Sequence, residues 1–438
     1  MNRLAQFLQY STKVFALKEL LRSVRDGRVE PKVPLLPLAV CLVLGVVTRI
    51  GSYLDLAQQT KDRRRWRHLC GLKVPVQHEI FGYATERMNP EDWRQNQAKV
   101  AKELKRNKRF ESAKIKGLLF VSIDANEHFA SFSRTCPCCC QRQVEVTTAD
   151  GQKVKVIQFY HRYVFAHISG PTVNLVLDIE PIRPGEEECA AALRLLGRLR
   201  RIYGPRFFDG ISADAWYAKG PFFQVVDKLG WLWVAVLKRQ DMEIYGEALQ
   251  LSSRQEPSAA FRDEQRDRQV QLWDVKDLHF SDGYTKGKSV IVVIAEERWT
   301  ERRVAGGQKR AKPQQSQWIW VACQALGAYP AGVVYEAGHR RWKIENKAFN
   351  ELTQYYHLEH CYHHDPTSML VQMLILIFGF ALFSAFALHS QSVRSEELTL
   401  KALAHQLDLA LEEDLPWNLW FHSGEERSGV GAFRDAAL

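Results

Sequence analysis

Apolar positions recur at helical spacing from Arg3 to Arg22, Gln58 to Leu69 is a charged helical stretch, and Pro90-Glu-Asp-Trp93 has the acidic first turn of a helix start. Residues 1–112 therefore read as a helical region. At Gly117 the period changes. Leu118 to Ile123 is a near-continuous apolar run, the pattern of a strand buried on both faces, and it leads into Asp124. Val154 to Ile168 and Thr172 to Ile179 are rich in β-formers, with Ser169-Gly-Pro171 as a turn between them. Glu186 to Tyr203 reads as a helix, acidic at its start and arginine-rich towards its end, which suits the helix dipole. A strand at Phe208 to Ala213, a helix at Pro221 to Leu229 and a strand at Trp231 to Leu237 follow. Three strands and then alternating helix and strand predict an α/β layer with a mixed sheet over 113–238.

Residues 239–317 break that rhythm and read as a β-rich insertion. A polar stretch (Ser252 to Gln269) precedes short strands at Val270 to Trp273 and Ser289 to Ala295, then a basic loop with Gly306-Gly307. The strand Gln317 to Ala322 leads into the rest of the core, 318–390, where Arg341-Trp-Lys-Ile-Glu-Asn-Lys-Ala-Phe-Asn-Glu-Leu352 reads as a helix. A helical tail, 391–438, closes the chain. Two apolar stretches imitate membrane spans. Val33 to Val47 is short and holds Pro34 and Pro37; Met369 to Leu388 is long enough, but Gln372 and Ser384 interrupt it. A helix that is apolar all round also suits a large core, and burial against the core sheet is the preferred reading, with no membrane partner.

Composition changes the picture only modestly: 46% hydrophobic and 25% charged residues are ordinary for a soluble globular protein of two or three domains. The formal net charge of +10 favours an anionic partner. Basic runs cluster at Lys61 to His68, Lys105 to Arg109, Arg198 to Arg201 and Lys309 to Lys312. With Trp66 and Trp93 interleaved they point to nucleic acid, and Arg64, Arg65, Lys105 and Arg106 are the candidate contacts. Nine cysteines, four of them crowded into Cys136 to Cys140, do not make a secreted disulfide framework. No signal peptide is visible, and a cytoplasmic location is expected. Cys136 and Cys139 have the spacing of half a zinc site, which His128 or His161 would have to complete. With no second Cys-x-x-Cys, a reduced loop is the preferred reading. The histidines at 357, 360, 363 and 364 read as a loop facing DNA or solvent.

Candidate chemistry rests on three acids. Asp124 and Asp214 each follow an apolar run, and Glu345 lies in the late helix. Two strand-end aspartates and a helical glutamate supply the oxygen donors that a pair of hard divalent cations needs for phosphoryl transfer. Arg341 precedes Glu345 by one helical turn, to contact phosphate or to pair with Glu345. Phe349, Leu352 and Tyr356 continue that spacing as packing residues. Asp209 and Asp178 are rival acids, ranked below Asp214.

This order of elements resembles the RNase H-like core of DDE-class transposases. Phe120-Val-Ser-Ile-Asp124, Asp209-Gly-Ile-Ser-Ala-Asp-Ala-Trp-Tyr217, Leu229-Gly230 with Val236-Leu-Lys238, and Arg341-Trp-Lys-Ile-Glu-Asn346 with Phe349-Asn-Glu-Leu352 are similar to motifs of bacterial cut-and-paste insertion-sequence transposases of the IS-four type. The resemblance implies metal-dependent cleavage at transposon ends and transfer of the freed 3′ hydroxyl into target DNA. It implies two Mg2+ (or Mn2+) ions, with Asp124 bridging both, Asp214 on one and Glu345 on the other. Its partners would be double-stranded DNA, as terminal inverted repeats and target, bound by a dimer. Related enzymes stack a flipped base on an aromatic of the insertion; Trp299, beside Arg298, Arg302 and Arg303, is the candidate here. The alternatives are an RNase H-like nuclease without strand transfer and a domesticated DNA-binding protein. One departure stands out: the tyrosine and lysine of the hairpin-forming signature are replaced by Gly338 and Leu352.

Overall fold

The helical N-terminal region forms in shorter pieces than its pattern suggests. They are α1 (Arg3–Phe15), α2 (Leu17–Arg22), α3 (Leu35–Val47), α4 (Tyr53–Asp62), α5 (Arg64–Leu69), α6 (His78–Thr85) and α7 (Pro90–Arg106). Ala16, left-handed at φ 52°, splits the predicted Arg3–Arg22 helix in two. The computed structural model describes residues 2–238, 240, 242–281, 286–305, 308–394 and 399–411; the side chains of 302–305, 308–310 and 391–394 lie outside that description. The chain divides into two units, Met1–Glu103 with Tyr355–Leu438, and Leu104–Gln354.

The second unit is built on one sheet. β1 (Phe120–Ser131), β2 (Cys140–Thr147), β3 (Lys153–Ser169) and β4 (Asn174–Pro181) precede α8 (Glu188–Tyr203), β5 (Gly210–Ala213), α9 (Gly220–Lys228) and β6 (Leu232–Val236). β1 pairs antiparallel with β3, β3 antiparallel with β4, and β1 runs parallel to β5, which runs parallel to β6. The core order is thus β4-β3-β1-β5-β6: a three-strand meander whose first strand adjoins two later parallel strands. This is the mixed α/β, RNase H-like arrangement expected, and it puts the strands leading to Asp124 and Asp214 side by side. β2, a hairpin with β3, was not foreseen; the crowded cysteines concealed its start.

The insertion contains α10 (Glu243–Ser252), β7 (Ala259–Asp263), β8 (Arg268–His279), β9 (Ser289–Ala305) and β10 (Gln308–Cys323). It does not form a layer of its own. β10 pairs antiparallel with β6, so β10, β9, β8 and β7 extend the core sheet. The strands predicted at 289–295 and 317–322 are the inner ends of a hairpin that continues outwards through polar residues, where hydrophobicity no longer marks it.

After β10 come α11 (Gly332–Arg341), a π-helical turn (Ile344–Phe349) and α12 (Asn350–Tyr356). Then α13 (Pro366–Arg394) and α14 (Leu400–Leu409) join the N-terminal helices, so the sheet unit ends at Gln354 and not near 390. α13 is buried by α1, α3, α6 and α14 of its own unit, a correction to the expected packing on the sheet. Of the predicted tail, 412–438 lie outside the described residues.

Candidate active site

Asp124 and Asp214 come together because β1 and β5 are parallel and in register. Ile123 pairs with Ala213, so each aspartate is the next residue along its strand, on backbones about 4.8 Å apart. β5 ends there: Asp214 caps a 3-10 turn, its Oδ1 accepting the Trp216 N–H at 2.8 Å. Glu345 arrives on the π-helical turn after α11. Single π turns inside helices recur at functional sites, where they re-aim side chains.

Arg341 ties two of the acids together. Its Nη1 donates to Asp124 Oδ2 at 2.8 Å and to Glu345 Oε1 at 2.9 Å. The guanidinium is buried, the Asp124 side chain is 13% exposed and that of Glu345 is 44% exposed, so this ion pair opens to solvent on the Glu345 side. Of the two sequence readings of Arg341, the ion pair with Glu345 is present, and a second one with Asp124 accompanies it.

Burial pushes the Asp124 carboxyl up to about 7; Arg341 opposes the rise, and Asp214 and Glu345 add to it. The charges of Asp214 and Glu345 thus both reach Asp124, which sits between them in a partly dry setting. The rival acids serve the fold. Asp178 is buried in an ion pair with Arg198 at 2.6 Å, and Asp209 accepts the Leu119 N–H at 2.7 Å.

The predicted DNA contacts separate into groups. Lys105 donates to the carbonyls of Arg206 and Phe207 at 2.7 and 2.6 Å and lies over the Phe207 ring, so it is committed to the fold. Arg64 and Arg106 are exposed and Arg65 is half-buried. Trp66 and Trp93, read as interleaved aromatics, are core residues: Trp66 donates to Cys41 Sγ at 3.3 Å and Trp93 packs on Phe378. Trp299 is half-buried on β9 under the Arg268 guanidinium, which lies 4.1 Å from the ring centre. It lines an open cavity of about 750 Å3 with Arg262, Arg268 and Arg298. Arg302 and Arg303 are on β9, but their side chains lie outside the described residues. His357 and His363 bond to the Arg49 carbonyl and to Glu86, so they serve the fold.

Sequence reasoning missed Trp216, 56% exposed beside Asp214, with the Lys219 ammonium 4.8 Å from its ring. A tryptophan two residues after a candidate acid was the available signal.

No protein-family model matches the chain, and no curated protein matches it. Among solved structures, a piggyBac transposase synaptic complex with hairpin DNA is a distant likeness: 12% identity and a TM-score of 0.42, over 94% of this chain and 80% of that one.

Proposed function

We propose that this chain is a DDE-class DNA transposase that cuts at the ends of a mobile element and joins them to target DNA. What supports the reading is the placement of Asp124 beside Asp214 at the ends of adjoining parallel strands, with Arg341 joining Asp124 to Glu345 on the π-helical turn. Asp124 would be the shared ligand, Asp214 and Glu345 the outer ones. Two Mg2+ or Mn2+ ions held there would supply an activated oxygen nucleophile and charge neutralisation at the scissile phosphate. Arg341 acts as the counter-ion of the acids before metal arrives. Once their charge is met, its guanidinium is available to a backbone phosphate in the bidentate manner arginine favours.

The exposed arginines Arg64 and Arg106 serve the flanking DNA, and the Trp299 cavity, ringed by arginines, suits an unstacked base at the element's end. A dimer on paired ends is the working assembly. The test uses the full chain, Mg2+ and a duplex carrying the inverted repeats that flank its gene. The expected result is cleavage at the repeat boundary followed by joined products. Asp124→Ala should bind the duplex and not cut it. Cutting without joining would make the protein a nuclease, and full cleavage by Asp124→Ala would reject the site.

A further inference from the structure

A second cluster stands apart from the three acids. The loop between β1 and β2 carries Cys136-Pro-Cys-Cys-Cys140, and its four sulfurs go to different places. Cys138 is exposed, and Cys140 is buried and donates to the Ile182 carbonyl at 3.7 Å. Cys136 and Cys139 turn together towards His161 on β3. Their sulfurs are 3.6 Å apart, and His161 Nε2 lies 3.4 Å from Cys136 Sγ and 3.2 Å from Cys139 Sγ. The turn is closed by the Cys139 N–H on the Cys136 carbonyl at 3.1 Å, and the Cys136 N–H donates to Cys139 Sγ at 3.2 Å.

These separations can be compared with a metal's. A tetrahedral zinc with sulfur arms of about 2.3 Å and nitrogen arms of about 2.05 Å sets S···S edges of ~3.8 Å and S···N edges of ~3.6 Å. The triangle observed is within a few tenths of an ångström of one face of that tetrahedron, and far from the ~2.05 Å of a disulfide.

We propose that Cys136, Cys139 and His161 form a structural zinc site, with a further donor or water at the fourth corner. Two thiolates and an imidazole select zinc over the hard cations suited to carboxylates, so the two metal sites would not compete for ions. The site would have a definite mechanical role. His161 pairs with Phe129 of β1, and four residues further along β3 Phe165 pairs with Asp124. Zinc would clip the loop leaving β1 to the strand that flanks Asp124, about 13 Å along the pleat.

The experiment uses the full chain purified without chelator. Zinc should be present at about one ion per chain by elemental analysis. Replacement by Co2+ should give sulfur-to-cobalt charge-transfer absorption and the visible bands of a tetrahedral ion. Cys136→Ser, Cys139→Ser and His161→Ala should each lose most of the metal, and Cys138→Ser should keep it. A soft-metal chelator, with Mg2+ in excess, should lower the melting temperature of the wild type and of Cys138→Ser. If a variant does not fold, the wild-type stoichiometry and cobalt spectrum still decide. A metal-free wild type, a Cys136–Cys139 disulfide by mass spectrometry, or zinc retained in all three ligand variants would each overturn the proposal. None of these readouts depends on DNA cleavage.

Discussion

The arginine at the centre of the acids sets what each residue there can do. Removing one member of a partly buried charge cluster leaves the others uncompensated, which typically costs several kcal/mol and less where solvent reaches the pair. Arg341→Ala should therefore destabilise the metal-free protein by about 2–3 kcal/mol. Millimolar Mg2+ should recover more of that loss in the variant than it adds to the wild type, as read by thermal unfolding. Equal shifts in the two proteins would show that arginine and metal do not share the acids. Asp124 makes a separate statement. Its carboxyl is raised to about 7 by burial, against about 3.9 in an unfolded chain. Between those values the folded state holds a proton that the unfolded state has released. Stability thus falls as pH rises from about 4 to about 7, by a few kcal/mol, and levels off above. Asp124→Asn should flatten that slope in metal-free buffer. A divalent cation favours the ionised form, so its affinity should climb over the same pH interval in the wild type.

Among the elements, α11 and the π-helical turn decide where the glutamate arrives. α11 lies close on β10 because Gly338 has no side chain: a Cβ there would overlap the Trp320 indole nitrogen. Trp320 is itself buried and stacks in parallel with Trp318. Leu352 is fully buried as well. The two positions at which the sequence departs from the hairpin-forming signature are therefore packing positions, and a tyrosine at 338 could not be housed without moving α11. Gly338→Ala should cost about 1–3 kcal/mol in thermal or denaturant unfolding. It should also reduce cleavage more than binding, since Arg341 and Glu345 ride on the displaced segment. An unchanged melting temperature would mean that α11 can shift freely, and the rigid placement argued for Glu345 would fail. The motif Arg341 to Leu352 was legible as helix and as chemistry because its residue types are distinctive. Its π turn was not, because no side-chain pattern distinguishes a π turn from the α-helical period around it.

At the scale of the whole molecule, the sequence disclosed the order of elements better than their partners. Largely apolar runs marked β1, β5 and β6, and two of them lead into the acids that the parallel register brings together. The outer halves of β9 and β10 were hidden because strands with polar faces carry little hydrophobic signal; the Cys136/Cys139 pair was legible by its spacing, but spacing alone left His128 and His161 open as its third member, and the fold brings His161 to it. The apolar helix α13 was read correctly as buried but assigned to the wrong neighbours. Its residues Pro366–Ser390, with mean hydropathy 2.3, are long and apolar enough to cross a bilayer. Its polar groups argue otherwise. Gln372 accepts the Tyr53 hydroxyl at 3.1 Å, and Ser368 and Thr85 share a hydrogen bond of 2.6 Å, all out of water. Such bonds tie α13 to α4 and α6, and its apolar surface is mostly buried, with α1, α3, α6 and α14 packed on it. A lipid-facing helix would leave much of that surface to acyl chains and would need no such partners. The expressed protein should remain in the supernatant after salt washing and centrifugation of membranes. Gln372→Leu should remain there too, since the apolar burial survives the substitution. Recovery of the wild type only by detergent, after resistance to alkaline extraction, would instead make α13 a membrane anchor and dismantle the helical unit described above.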